Sequence, residues 1–168
     1  GGTNLHTEWQ AGGTSGTVGD GSEYTIFQNT VTTGLAALQA AHPGDSVQIA
    51  GMIWVQGESD TSSAANAAAY ESNLMAFIED VRLTYGASLP IVIGQVSVNQ
   101  TALVGANLAT VRNGQANAAA ADSYTTLLVT DGFSLRNDDL HFDASGQIAA
   151  GNGFADALQS IALPVPAL

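Results

Sequence analysis

The stretch Ile49-Ala50-Gly51-Met52-Ile53-Trp54-Val55-Gln56-Gly57-Glu58-Ser59-Asp60 constrains the fold more than any other. Its first half is uncharged and rich in Ile and Val, the pattern of a strand buried on both faces of a parallel sheet. Its second half turns polar and runs into an alanine-rich segment of helical pattern. Ligands of open α/β sheets bind beyond the carboxyl ends of the strands. Gln56, Glu58 and Asp60 therefore stand where chemistry is expected. The alternative at this point is that they only cap the following helix.

The rest of the chain repeats that alternation. From Tyr24 the positions Ile26 or Phe27, Val31, Leu35 and Leu38 recur at helical spacing, and Pro43-Gly44 ends the run. A strand over 47–55 follows, then a helix with Thr61, Ser62 and Ser63 as N-cap candidates. Tyr70, Leu74, Phe77, Ile78, Val81 and Tyr85 form its apolar face, and Gly86 is its stop. Tyr70 and Tyr85 thus read as core. A second strand spans 89–98, a helix most of 102–121 and a third strand 125–130. The helix of 102–121 has Leu103, Leu108 and Val111 as core contacts and Arg112 on its solvated face. Asp143 caps a last helix whose stripe is Ile148, Phe154, Leu158 and Ile161. Residues 10–23, rich in Gly, Thr and Ser, read as a long mobile loop. This order predicts one α/β domain over 1–168, a three-layer α/β/α sandwich with a parallel sheet. Three strands are few for such a sheet.

A length of 168 residues is about one domain and can bury a normal core. Apolar residues make up 45%, yet no apolar run approaches a membrane span, so the chain reads as soluble and globular. Cysteine is absent, which excludes a disulfide framework and thiolate chemistry. Fifteen acidic residues face three arginines and no lysine, for a formal net charge of −12. Such a surface repels nucleic acid and anionic membrane, and it disfavours polyanionic substrates. It suits a secreted or periplasmic protein. Gly1-Gly2 at the start is not the charged region of a signal peptide.

Asp138 precedes His141 by three residues, on the loop between the third strand and the last helix. A turn brings such residues together, so the carboxylate takes the proton of one imidazole nitrogen and leaves the other as a base. Asp139 competes for the acid role at a less suitable spacing. A calcium site of Asp138, Asp139 and Asp143 is the other reading of this loop. Its spacing is not that of an EF-hand, and Leu140-His141-Phe142 suits chelation poorly. A surface loop histidine beside a turn-forming aspartate is the bland one.

Taken together, Trp54-x-Gln56-Gly57-Glu58-Ser59-Asp60, Asp138-x-x-His141-Phe142 and Gly1-Gly2-Thr3 followed by Trp9 resemble conserved blocks of a known group. This is the sialate O-acetylesterase and acetylxylan esterase group, the family-6 carbohydrate esterases and their relatives within the SGNH-hydrolase superfamily. The resemblance implies a serine esterase that removes acetyl groups from a glycan or sialate. His141 would then be the base and Asp138 its orienting acid. Gln56 and the N–H of Gly2, with Gly1 in second place, would be oxyanion donors, and Glu58 a supporting group. Trp54 reads as packing and Trp9 as a sugar-stacking platform, while His6 reads as a surface histidine. Neither metal nor organic cofactor is implied.

The group's nucleophile block, a Gly-x-Ser, has no match in this chain; Ser15 and Ser59 are assigned no such role. The resemblance therefore implies that the first two strands and the serine lie on an N-terminal fragment of the same enzyme. A chain lacking them should expose an apolar sheet edge prone to aggregation. The competing expectation is a non-catalytic carbohydrate-binding or scaffold protein on the same architecture.

Overall fold

A computed structural model describes residues 2–161. Ser22–Ala41 forms α1, Met52–Val55 β1, Ala64–Tyr85 α2, Ile91–Gln95 β2, Gly105–Ala120 α3, Thr125–Val129 β3 and Ala144–Ser160 α4. The three strands pair in parallel in the order β1-β2-β3, with Ile53 beside Val92 and Val92 beside Thr126. Helices cover both faces. On one side α2 and α3 bury Tyr70, Leu74, Phe77, Val81, Leu108 and Val111 against Trp54, Ile91 and Ile93. On the other, Ala150 and Phe154 of α4 pack on Val92. The result is an α/β/α sandwich, as the alternation predicts. No helix among the described residues is long and apolar enough to cross a membrane.

Local chemistry explains where the elements start and stop. Ser63 caps α2 by accepting a hydrogen bond from Asn66 N, and Asp143 caps α4 by accepting one from Gly146 N. Gly86 ends α2 at φ +131°, a backbone that other residues adopt only under strain. The approach of α4 to the sheet depends on Gly94, where an added Cβ would lie 2.8 Å from Phe154 Cζ.

Four expectations need correction. The strand expected over 47–55 is confined to Met52–Val55, and it is not buried on both faces. Trp54 is buried, while Ile53 and Val55 are 46% and 50% exposed. Strand neighbours in register point the same way, so these two side chains share the α4 face with Val92 and Gly94. There α4 lies over β2 and β3, and no helix among the described residues covers β1. Secondly, only the first turns of α1 pack on the domain. Tyr24 and Gln28 are buried, whereas Ile26 and Leu38 stand in solvent. Thirdly, Ile148 is 67% exposed, and Ala150 takes its expected place in the α4 stripe.

The fourth concerns the glycine-rich segment before α1, which is anchored rather than loose. The buried Asp80 of α2 accepts Gly13 N at 2.8 Å, Thr14 N at 3.1 Å and Tyr24 OH at 2.9 Å. Asp20 accepts Gly12 N at 2.6 Å and the Gln28 amide. Buried carboxylates need donors, and a run of small residues supplies backbone N–H groups at close range.

Candidate active site

Gln56 sits at the carboxyl end of β1, and its main chain is fixed from both covering helices. Its carbonyl accepts Tyr70 OH of α2 at 2.8 Å and Gln115 Nε2 of α3 at 3.0 Å. Tyr70 is thus core, as its spacing predicts, and also a support for the site. The side-chain amide of Gln56 donates to Asp60 Oδ2 at 2.6 Å and to Thr3 O at 3.1 Å. Both of its hydrogens are engaged.

Asp60 is fully buried and also accepts Leu5 N at 3.2 and 3.0 Å through its two oxygens. Burial pushes its carboxyl above the usual value, and the hydrogen bonds from Gln56 and from the Leu5 and His6 amides pull the other way. Asp60 therefore clamps the Gly2–His6 segment to the polar turn after β1. Gly2 has φ +82°, and Gly57 has φ +141° within that turn. An added Cβ at Gly57 would lie 2.9 Å from Val96, 3.0 Å from Val111 and 3.1 Å from Tyr70 OH.

His141 lies on the turn that ends the β3–α4 loop. Asp138 Oδ2 is 2.9 Å from His141 Nδ1, and its Oδ1 accepts the backbone N–H groups of His141 at 2.9 Å and Leu140 at 3.0 Å. Those bonds hold the Asp138 carboxyl far below the usual carboxylate range. An ionised carboxylate only accepts, so Nδ1 carries the proton and Nε2 is left as the basic nitrogen. The turn is closed by Arg136 N donating to His141 O at 2.7 Å and by Asp139 at φ +53°. Asp143 is spent elsewhere, accepting Ser134 Oγ at 2.6 Å and Gly146 N at 2.8 Å, and does not converge with Asp138.

A groove of about 670 Å³ runs along β1 to this end of the sheet, and Gly2, Gln56, Glu58 and His141 all line it. Asp138 stands behind His141. The fold thus gathers the candidate base, its acid partner, the candidate oxyanion donors of the described residues and Glu58 at one place; Gly1 lies outside the described residues. The pair is open, with side-chain exposures of 66% for His141 and 47% for Asp138. Trp9 is a wall of the groove rather than a free platform. Its ring is edge-on to Trp54 at 5.2 Å, and its Nε1 donates to Thr3 Oγ1 at 2.9 Å. His6 meets Asn73 Nδ2 at 3.3 Å.

Sequence reasoning missed the residues that tie the site loops together. Arg112 is not on a solvated face; it pairs with Asp131 at 2.8 and 3.0 Å and donates to Val96 O. Asp131 in turn accepts Val98 N at 3.0 Å. Gln100, 2% exposed, accepts Ser97 N at 2.7 Å and donates to Leu140 O at 2.8 Å. These partners lie 3 to 40 residues apart in sequence, and the longer of those contacts leave no local pattern to read.

Comparison with known proteins agrees with this architecture. A solved structure of a protein from Arabidopsis thaliana superposes with a TM-score of 0.70 at 23% identity, covering 96% of this chain and 59% of that one. At that identity the likeness speaks for the fold alone, and the present chain spans about three fifths of the plant protein. No curated protein matches. A family model described as carbohydrate esterase, sialic acid-specific acetylesterase, matches residues 1–160. By that match over nearly its whole length, the chain belongs to the carbohydrate esterase family of sialic acid-specific acetylesterases.

Proposed function

We propose that this chain is the larger part of a serine-type carbohydrate O-acetylesterase. The observation that carries the reading is the Asp138–His141 pair opening, with Gln56 and Gly2, onto one groove. In the assembled site His141 Nε2 removes the proton of a serine hydroxyl, and the serine oxygen attacks the acetyl carbonyl. The tetrahedral oxyanion is met by N–H donors, among them Gly2. His141 then protonates the departing sugar oxygen, and water repeats the cycle to release acetate. A donor role for Gln56 requires its amide to give up Thr3 O or Asp60; otherwise it holds the Gly2–Thr3 segment in place.

The serine comes, in this reading, from a further N-terminal segment of the same enzyme that docks along the free edge of β1. Two features support it. Ile53 and Val55 leave apolar surface beside that edge, and the His141–Asp138 pair is exposed where a working pair is covered. The substrate favoured by the electrostatics is a neutral acetylated sugar. Glu58 sets a carboxylate in the groove of a chain carrying −12, and both repel an anionic sialate. Secretion or a periplasmic location fits that acidic, cysteine-free surface.

The test is a fluorophosphonate label on the protein from its native source, read by denaturing mass spectrometry alongside acetyl-ester hydrolysis. The expected result is a label on the serine of a Gly-x-Ser segment outside this chain, with turnover lost in step. A label on Ser59 would overturn the two-segment arrangement. Saccharide binding with neither label nor turnover would put a non-catalytic binding module in its place.

A further inference from the structure

The turn that carries His141 is closed almost entirely upon itself. Arg136 N bonds to His141 O, Asp139 N to Arg136 O, and Asp138 takes the amides of Leu140 and His141 together with the imidazole. Such a turn keeps its internal shape wherever it sits. What fixes its position relative to Gln56 and the β1 end is a separate matter. Of the hydrogen bonds that residues 136–141 make among the described residues, one leaves the loop: Gln100 Nε2 donates to Leu140 O at 2.8 Å. Leu140 O belongs to the peptide that joins directly to His141.

Gln100 is built for this task. The residue is 2% exposed, on the β2–α3 connection. Its Oε1 accepts Ser97 N at 2.7 Å, just beyond β2, and that bond fixes the amide's orientation. With the acceptor so committed, both hydrogens of Nε2 point to the site. One meets Leu140 O, and the other faces Glu58 Oε1 at 3.4 Å, a long contact at the weak limit of hydrogen bonding. One amide therefore spans the loops that follow all three strands. An unpaired amide in this buried position is costly, which favours the fully bonded arrangement.

We infer that Gln100 is a positioning residue that sets the distance from His141 to the reacting centre, while Asp138 alone sets the tautomer of the imidazole. The inference rests on His141 being the base, as proposed above. It separates two properties that a structural role would not separate. Loss of the Gln100–Leu140 bond releases the turn as a unit, with the Asp138–His141 contact intact inside it.

Gln100→Glu is the variant of choice. It keeps an oxygen for Ser97 N, removes both donors and sets a carboxylate against Leu140 O and Glu58. In the assembled protein, amide ¹⁵N relaxation should show residues 137–141 becoming more mobile than β2 and α4, while the ring ¹⁵N shifts of His141 keep the Nδ1–H tautomer. Unchanged mobility of 137–141, or loss of the tautomer together with mobility, overturns the inference. In the assembled enzyme kcat should fall by up to about 10²-fold with KM nearly constant, the effect of displacing a base by about 1 Å. Equal kcat in variant and wild type also overturns it. If the wild type shows no ester hydrolysis, the functional reading fails by itself, and the relaxation measurement still decides whether Gln100 anchors the turn. Should Gln100→Glu not fold, Gln100→Met, which keeps the volume without donors, is read in the same way.

Discussion

A carboxylate and an imidazole three residues apart meet through a single turn, and for that reason the Asp138–His141 pair can be read from the sequence. The contact is local, so its geometry follows from the spacing. The partners of Asp60 and Gln100 were opaque for the opposite reason. Asp60 binds Leu5 across 55 positions and Gln100 binds Leu140 across 40, and no periodicity marks either partner. Asp138 also yields a testable consequence. The amide and imidazole donors around it hold its carboxyl far below the usual range, so it stays ionised through the ordinary carboxylate range of about pH 4. The kcat/KM profile of the assembled enzyme should therefore show no inflection from Asp138 at about pH 4. An inflection there that Asp138→Asn abolishes would show the carboxyl titrating at its usual value. Asp138→Asn should lower kcat by up to about 10⁴-fold, since the amide can hold the wrong tautomer.

At the scale of elements, the helices were more legible than the first strand. The stripe of α2 is found as the spacing predicts, with Tyr70, Leu74, Phe77, Ile78 and Val81 all buried. For β1 the composition misled. An apolar run says that a strand's faces can be buried, and here the face bearing Ile53 and Val55 has nothing described over it. The same limit applies to Leu38 on α1, a helical repeat left half-exposed among the described residues. The turn after β1 is legible only as polar; that it hinges on Gly57 is a matter of packing. Its φ of +141° and the side chains of Val96 and Val111 around the missing Cβ leave no room for a methyl group. Gly57→Ala should cost roughly 1–3 kcal/mol, seen as a lower Tm, and should weaken ligand binding in the groove by shifting Gln56 and Glu58. An unchanged Tm would refute the close fit.

For the molecule as a whole, charge sets the response to pH, and the signs oppose one another. Burial raises Asp20 and Asp60, so the fold prefers them protonated. Their stabilising contribution is complete below the ordinary carboxylate pKa of about 4 and is lost as pH rises through their elevated values. Burial also acts on Asp122 and Asp131, but hydrogen bonds outweigh it: from Arg82, Thr125 and Tyr124 N on Asp122, and from Val98 N and Arg112 on Asp131. Those two, with Asp138 and Asp143, are lowered. They stabilise above about pH 4, and that contribution is lost as pH falls through their depressed values. Acidification from neutrality also relieves the self-repulsion of a chain carrying −12. Thermal melts across pH should therefore show the highest Tm between about pH 4 and 7, with a fall on either side. A Tm that climbs steadily through neutrality would mean that the half-buried Asp20 and the buried Asp60 do not govern the balance. The net charge could be read at once from composition, whereas which carboxylates are buried could not.

The aromatic cluster beside the groove has an optical consequence. The chain has two tryptophans, Trp9 and Trp54, their rings lie 5.2 Å apart at 81°, and both line the groove. All tryptophan emission of this chain thus originates in the wall of the candidate site, and two indoles so close share their excitation. A sugar or polypeptide segment entering the groove changes the polarity around both chromophores together. The protein carries its own spectroscopic reporter, and occupancy of the groove can be followed by fluorescence and near-ultraviolet dichroism without any label.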